Sequence, residues 1–214
     1  MYTTLGMMKG GGVVPSLLSL SFNEDTSAPF QAVLPTPCVA NDLLIIMLTL
    51  GSTSNSPTGP PSGWTQLAGN NFGFYKWSAG GAEAPVSVSF SGGADPGFVV
   101  LRIQNADPAT NPQATTLVEN NSPTLNPPDV DPSWPDTNNL LITYAGTSSV
   151  QATINAIPSG YTLFQKASGS LTSYGVATKE VSTSAIENPG TFTLTGAASS
   201  SSLGRTFTIA VKGT

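Results

Sequence analysis

The chain has 214 residues, of which 9% are charged, and its 7 basic and 12 acidic side chains give a formal net charge of −5. An ordinary soluble domain has about 25% charged residues, so we expect a surface that is mainly neutral and polar. No cluster of Lys and Arg occurs, which argues against binding of nucleic acid through its phosphates. The absence of histidine excludes Ser-His and Cys-His nucleophilic systems and histidine metal sites, and we expect no cofactor.

Residues 1–16 are predicted to form a flexible N-terminal arm. The arm contains Gly10–Gly12 and a single Lys, which is atypical of a signal peptide, so we expect a protein that is not exported. No apolar run reaches the ~20 residues of a membrane span, and no membrane partner is predicted. Cys38, the only cysteine, lies among apolar residues and is expected to be buried rather than reactive.

Alternation of apolar residues with Ser or Thr predicts β-strands along the whole chain, whereas no stretch has the periodicity of an amphipathic helix. Strands with one buried and one solvated face are predicted at Leu18–Phe22, Val86–Phe90, Phe192–Leu194 and Phe207–Val211. Two continuous apolar runs, Leu43–Leu50 and Leu140–Ala145, indicate strands that are buried on both faces.

Two motifs recur along the chain at the same spacing. Asn41–Ile45 returns as Asn138–Ile142, and Pro61–Thr65 returns as Pro158–Thr162, both at an offset of 97 (138 − 41 and 158 − 61). Further along the chain, matching residue types align the two copies at increasing offsets. Tyr75 matches Tyr174 at an offset of 99, and Val88 and Phe90 match Phe192 and Leu194 at an offset of 104. Val99, Leu101 and Ile103 match Phe207, Ile209 and Val211 at an offset of 108. A duplicated β unit is therefore predicted, with its insertions confined to turns.

The fold class predicted from these strands is all-β: an antiparallel, jelly-roll-like β-sandwich built from two similar halves. We expect one domain over residues 17–214, with half one at 39–104, a crossover at 105–138 and half two at 139–213. A half of about 70 residues without a disulfide would have a marginal core, which favours one sandwich over two separate domains. Ala114–Glu119 is apolar enough to add a strand within the crossover.

Each Pro-Ser-Gly motif predicts a tight turn that leads into a strand, because Pro supplies φ near −65° and Gly tolerates positive φ. The aromatic residue that follows, Trp64 or Tyr161, either plugs one end of the sandwich or forms a platform for stacking a sugar, and plugging is preferred. Tyr75 and Trp77 are two residues apart and share a face. Trp134 lies in the Pro-rich crossover, where both an exposed and a buried position remain open, and it is the best candidate for a contact anchor.

The crossover also contains Asp129, Asp131 and Asp136. Glycosidases use paired carboxylates, but Asp129 and Asp131 lie between prolines rather than on a strand, so a glycosidase is disfavoured. Three carboxylates at short spacing are a possible Ca²⁺ site, although a solvated acidic loop is the preferred interpretation.

Asn41–Ile46, the turn Pro61–Thr65, the segment Phe74–Trp77 and the Val/Ser strand that follows, with their weaker second round, resemble β-sandwich structural proteins of tailed bacteriophages and of prophage-derived genes. The resemblance covers Asn41 to Gly213. It implies a non-enzymatic virion protein assembled in the host cytoplasm, and within that group a capsid decoration (cement) protein.

The partners implied by the resemblance are the major capsid protein and further copies of this chain, as a homotrimer. Contacts are expected where the two halves have no counterpart, namely the first forty residues with Lys9 and the acidic crossover with Asp129, Asp131 and Trp134. Two alternatives stay open: a tail or fibre module that binds glycans through its aromatic residues, and an extracellular bacterial adhesin domain.

Overall fold

The computed structural model describes residues 12–26, 28–51, 55–92, 95–120, 122–135, 137–148, 152–168, 172–183, 185–195 and 203–214. The regular elements in these ranges are antiparallel β-strands, arranged in sheets that pack against one another, which confirms the predicted fold class. Within the same ranges no helix is long and apolar enough to cross a membrane.

The first unit of the fold runs from β1 to β7. Its strands are β1 (Ser16–Glu24), β2 (Gln31–Ala32), β3 (Leu43–Leu50), β4 (Thr65–Gln66), β5 (Gly73–Trp77), β6 (Val86–Ser87) and β7 (Pro96–Gln104). Five of them form the first sheet in the order β1-β7-β3-β5-β4, and β2 pairs with β6 in a small separate sheet. The long apolar strand β3 lies at the centre, as expected for residues that are buried on both faces.

The second unit runs from β8 to β16. Its strands are β8 (Gln113–Ala114), β9 (Val118–Asn120), β10 (Thr124–Leu125), β11 (Asn139–Thr147), β12 (Thr153–Ala156), β13 (Thr162–Ser168), β14 (Ser173–Val181), β15 (Phe192–Thr195) and β16 (Gly204–Lys212). The second sheet has the order β13-β14-β11-β16-β8, and β9 also pairs with β16. A small sheet with the order β10-β15-β12 accompanies it.

The two units have the same strand order, and the repeat is longer than the sequence indicated. β1 lies beside β7 as β8 and β9 lie beside β16, and β2 pairs with β6 as β10 pairs with β15. The expectation that the first forty residues and the crossover have no counterpart is therefore wrong, because each supplies the opening strands of one unit. The strands predicted at Leu18–Phe22 and within Ala114–Glu119 are present as β1 and as β8 and β9, whereas β2 and β10, with two residues each, were not predicted.

Strand register corrects two of the offsets that were inferred from residue type. Leu43 pairs with Trp77 and its equivalent Leu140 pairs with Glu180, so the offset at this point is 103 (180 − 77), and Tyr75 does not correspond to Tyr174. The extra residues lengthen the β13–β14 hairpin relative to β4–β5 instead of lying only in turns.

The last two strands of the repeat complete the corrected alignment. Val88 N donates to Phe30 O, and Leu194 N donates to Pro123 O, which makes the offset there 106 (194 − 88) and not 104. In the final strand the predicted offset of 108 is confirmed, because Ile103 pairs with Leu43 as Val211 pairs with Leu140.

The first and second sheets pack face to face over the central core, which receives residues from both units. Its buried members are Leu43, Ile45, Met47, Leu67, Tyr75, Val99, Leu101, Ile103, Ala106, Leu140, Ile142, Tyr144, Tyr174, Val176, Phe207, Ile209 and Val211. Trp77 packs against the same core, as its shared face with Tyr75 predicted. The mixed membership explains the packing of the two units, since neither sheet covers this face alone.

Each sheet has a second buried face, covered by the small sheet of its own unit. The first outer core joins residues of β3, β5 and β7 to Ala32, Cys38, Trp64 and Val88. The second outer core joins residues of β11, β14 and β16 to Leu125, Trp134, Tyr161, Ile154 and Phe192. The described parts of the chain thus form three apolar layers between four layers of strands, which explains why β3 and β11 are buried along their whole length.

A buried cation lies at one end of the central core. Arg205 on β16 is 1% exposed, and its Nε donates to Glu119 Oε1 at 2.7 Å. Its guanidinium carbon lies 4.6 Å from the ring centroid of Phe72, which belongs to the first unit. Arg205 Nη1 and the hydroxyl of Tyr144 are buried and have no hydrogen-bond partner among the described atoms. Burial raises the pKa of Tyr144, although the nearby Arg205 charge opposes this.

Candidate functional site

The two Pro-Ser-Gly turns place their aromatic residues in the outer cores. Trp64 N donates to Pro61 O at 3.0 Å and Tyr161 N donates to Pro158 O at 3.3 Å, and the preceding glycines have φ of 78° and 81°. Trp64 is 6% exposed and Tyr161 is 8% exposed. The prediction that both rings plug the sandwich is confirmed, because neither ring presents a free face for stacking a sugar.

Each of these aromatic rings belongs to a cluster that recurs in the other unit. In the first unit Lys76 Nζ lies 5.9 Å from the ring centroid of Trp64 and 2.7 Å from Glu83 Oε2. Ser78 Oγ donates to the other oxygen of Glu83 at 2.7 Å. Burial raises the pKa of Glu83, but the hydrogen bonds from Lys76 and Ser78 outweigh burial and lower it overall.

The second unit repeats this cluster with Tyr161, Lys179 and Glu187. Lys179 Nζ lies 5.7 Å from the Tyr161 ring centroid and 2.6 Å from Glu187 Oε1. Burial, together with the negative charge of Glu187, raises the pKa of Tyr161. An aromatic ring, a lysine and a glutamate at equivalent positions hold the edge of each small sheet against its large sheet, so we assign both clusters to stability rather than to ligand binding.

Cys38 lies beside the first of these clusters. It is 4% exposed, and its Sγ donates to Pro35 O at 3.0 Å. Burial raises the pKa of the Cys38 thiol, which disfavours the nucleophilic thiolate. The prediction of a buried, unreactive cysteine is confirmed for its position.

A groove lies between the start and the end of the crossover. One wall is formed by residues 109–116, which include β8, and the other by residues 128–134, while Ala68 of the first unit closes one end. The groove has a volume of about 790 Å³. It brings together three of the four predicted contact residues, namely Asp129, Asp131 and Trp134.

The two walls of the groove are joined by a pair of side-chain bonds that the sequence did not indicate. Gln113 Nε2 donates to Ser133 Oγ, and Ser133 N donates to Gln113 Oε1 at 2.9 Å. The two residues are 20 positions apart, Gln113 in the two-residue strand β8 and Ser133 in irregular structure, so no local pattern predicts their contact. Both amide atoms of Gln113 are used, which fixes the spacing of the walls.

Trp134 is buried, and this settles the choice that the sequence left open. It is 8% exposed and belongs to the second outer core, and its Nε1 donates to Asn139 Oδ1 at 2.8 Å. Asn139 is itself fully buried and donates through Nδ2 to Thr137 O and Thr183 O. Only a small part of the indole reaches the groove, so Trp134 acts as part of its floor instead of as an exposed aromatic anchor.

The carboxylates of the groove differ from most other charged groups in the described chain. Asp129 and Asp131 are both exposed, and neither has an ion-pair partner among the described residues. No group of three acidic, Cys or His residues suited to a metal ion occurs in the described ranges. Asp136, the third member of the suggested Ca²⁺ set, and Lys9 both lie outside those ranges.

Comparison of the chain with protein-family models, curated proteins and solved structures finds no match. The groove is therefore interpreted from its own chemistry. Two carboxylates, the amide of Asn111 and several threonine hydroxyls face an apolar floor of Ala and Pro side chains, and no basic residue lines it. Such a surface accepts hydrogen bonds and disfavours anionic partners.

Proposed function

We propose that this chain is a non-enzymatic structural protein of a bacteriophage virion, a capsid decoration protein that binds the major capsid protein and further copies of itself. The resemblance of the repeated strand and turn motifs to phage β-sandwich proteins is the starting point. The four-layer β fold supports it, since a rigid body with three apolar layers is suited to bridging and stabilising neighbouring capsomers.

One observation carries the proposal: five of the seven basic side chains of the chain are neutralised by internal ion pairs. The five pairs are Lys76–Glu83, Arg102–Asp42, Lys179–Glu187, Arg205–Glu119 and Lys212–Asp107, with N–O distances of 2.6 to 2.8 Å. A protein that packs against many neighbours avoids burying unpaired charge, because desolvating an isolated ion is costly. The groove with Asp129 and Asp131 then provides the charged part of the capsid contact.

The glycan-binding alternative has weaker support. The groove offers hydrogen-bond acceptors, as a sugar site requires, but Trp64, Trp134 and Tyr161 are all buried and none provides a stacking face. This difference favours the structural role over a fibre or adhesin module. The contact through Lys9, the trimeric assembly and the virion location stay predictions.

Deletion of the gene from the encoding phage tests the proposal. We expect the particles to lose infectivity on heating while they still adsorb to cells, because decoration stabilises the capsid and does not recognise the host. Adding back purified protein should restore heat tolerance and place density for the chain on the capsid in an electron-microscopic map. Particles that stay as heat-resistant as the wild type but no longer adsorb would instead support the glycan-binding module.

A matched pair of variants tests the role of the groove in the same add-back assay. Asp129→Asn combined with Asp131→Asn should weaken rebinding to particles. Glu180→Gln removes an exposed carboxylate from β14, outside the groove, and should leave rebinding unchanged. Equal rebinding by both variants would exclude the groove from the capsid contact while leaving the decoration role to be judged by heat tolerance.

A further inference from the structure

The strand β1 forms an open edge of the first sheet. Eight of its nine residues pair with β7 on one side, from Ser16 with Gln104 to Glu24 with Gly97. Among the described residues, Ser16–Asn23 makes no backbone hydrogen bond to any segment other than β7. An edge strand points alternate N–H and C=O groups away from its sheet, and the described chain supplies no backbone partner for those of Ser16–Asn23 on the side away from β7.

This edge lacks three of the features that usually protect one, namely charge, proline and short length. From Ser16 to Asn23 the strand has no charged residue and no proline, and its first charge is Glu24 at the far end. Natural proteins protect edges with Lys, Pro or very short strands. The repeat provides an internal comparison, because the equivalent edge of the second sheet is divided into β8 and β9, which have two and three residues.

Several exposed apolar side chains of the described residues lie on or beside the same strand. Five large hydrophobic side chains in the described ranges are exposed, and three of them are Val13 at 54%, Leu18 at 42% and Val33 at 47%. Val13 lies just before β1, and Leu18 sits at the one irregular point of its ladder, where it has no partner on β7. Val33 is held beside β1, because its N–H donates to Asn23 Oδ1 and its carbonyl accepts from Ser21 Oγ.

We propose that the edge of β1 binds β1 of a second copy of this chain, antiparallel and about a two-fold axis. Backbone groups on both copies would complete the ladder, and the two five-stranded sheets would join into one continuous sheet. The strand favours its own copy because it is uncharged over eight residues, so no like charges face each other. Full overlap places each Glu24 opposite Ser16 of the other copy instead of opposite a second Glu24.

A two-fold contact of this kind uses the same surface on both copies and closes at two. The exposed aliphatic side chains beside each strand then cover one another, which removes them from water without any other partner. This contact differs from the trimer that the resemblance implied. It does not depend on the virion role, since the purified chain alone contains both surfaces.

Sedimentation velocity of the full-length protein over a range of concentrations tests the pairing. The wild type should sediment as a dimer at high concentration. Leu18→Lys places a charge on the edge at a position that has no partner on β7, and it should weaken dimerisation at least about tenfold. Ile186→Lys is the matched control, because Ile186 is 64% exposed but lies in the second unit, and it should dimerise as the wild type does.

Two further measurements keep folding and contact separate. Val33→Lys should reproduce the effect of Leu18→Lys, and both variants should show the circular dichroism of the wild type. Hydrogen exchange should show slower exchange of Ser16–Asn23 amides at high than at low protein concentration, whereas those of β6 should not change. The proposal would be overturned if the wild type were a monomer at all concentrations or a trimer. It would also be overturned if the Leu18→Lys variant still formed a dimer and the β1 amides exchanged fast.

Discussion

Replacing Glu119 by Gln removes the carboxylate that neutralises the buried Arg205. Breaking a fully buried ion pair costs about 3–5 kcal/mol, because the remaining charge is left without compensation. The Arg205 side chain is 1% exposed, but that of Glu119 is 41% exposed, so water and the glutamine amide oxygen replace part of the lost interaction. We therefore expect Glu119→Gln to lower the free energy of unfolding by about 2 kcal/mol, below the fully buried value.

Replacing Arg205, the other member of this ion pair, should not destabilise the protein. Arg205→Met removes the buried cation together with its Nη1, which has no hydrogen-bond partner among the described atoms. Replacing a whole buried ion pair by apolar residues is often neutral or stabilising, and here the remaining Glu119 side chain is 41% exposed, so water can hydrate its carboxylate. We expect Arg205→Met to be at least as stable as the wild type, with Glu119→Gln adding little in its background, because the two residues act as a unit.

Urea unfolding at pH 7, followed by circular dichroism and tryptophan fluorescence, measures these differences. For a chain of this size about 2 kcal/mol corresponds to a fall of roughly 4–8 °C in Tm. The control Glu180→Gln removes an exposed carboxylate and should change stability by less than about 0.5 kcal/mol. The reasoning is refuted if Glu119→Gln is as stable as this control, or if Arg205→Met loses more stability than Glu119→Gln.

Three further changes have defined outcomes. Trp64→Leu should lower the free energy of unfolding, measured by thermal unfolding, by about 2–3 kcal/mol, because it leaves a cavity in the first outer core and removes the ring that Lys76 contacts. A loss of stability smaller than that of a substitution at an exposed position would contradict this packing. Gly213→Ala should cost about 1–3 kcal/mol, because a Cβ there would lie 2.3 Å from Val13 O and 2.8 Å from the carbonyl of Asn138; wild-type stability would show that the backbone moves freely. The hydrogen bond from Lys212 lowers the pKa of Asp107, so the ionised Asp107 stabilises the fold fully above its unfolded pKa of about 3.9, and this stabilisation is lost as the pH falls through the lower folded pKa. Asp107→Asn should therefore be less stable than the wild type at pH 7, and the difference should shrink below about pH 4. Stability curves of the two proteins that run parallel across this pH range would contradict the prediction.

The sequence was informative where local chemistry decides the structure. The apolar runs of β3 and β11 and the turns before Trp64 and Tyr161 all follow from side-chain type and from the φ preferences of Pro and Gly. Strands of two residues, such as β2 and β10, have no period to detect. They exist because the large sheet beneath them has an apolar face to cover, and that requirement is visible only in the folded chain.

The candidate groove likewise combines residues that the sequence indicated with contacts that only the folded chain shows. Asp129 and Asp131 were identified by type, but the burial of Trp134 depends on the amide of Asn139, and Asn139 is held by Thr183 from a distant loop. The tie between Gln113 and Ser133 likewise joins segments that no local pattern relates. Residue matching also misaligned the repeat at Tyr75, because two aromatic residues of similar spacing concealed a longer hairpin in the second unit.

The central core has a consequence for how the protein is made. One side of that core belongs to residues before Gln104 and the other to residues after it, so a nascent chain displays a bare apolar sheet until its second unit emerges. At about 5–20 residues per second, roughly 5–20 s separate the two. During this interval the second unit of another chain on the same messenger offers an equivalent surface. Neighbouring nascent chains can therefore exchange units and form intertwined dimers. The fraction of chains that do so depends on the speed of translation.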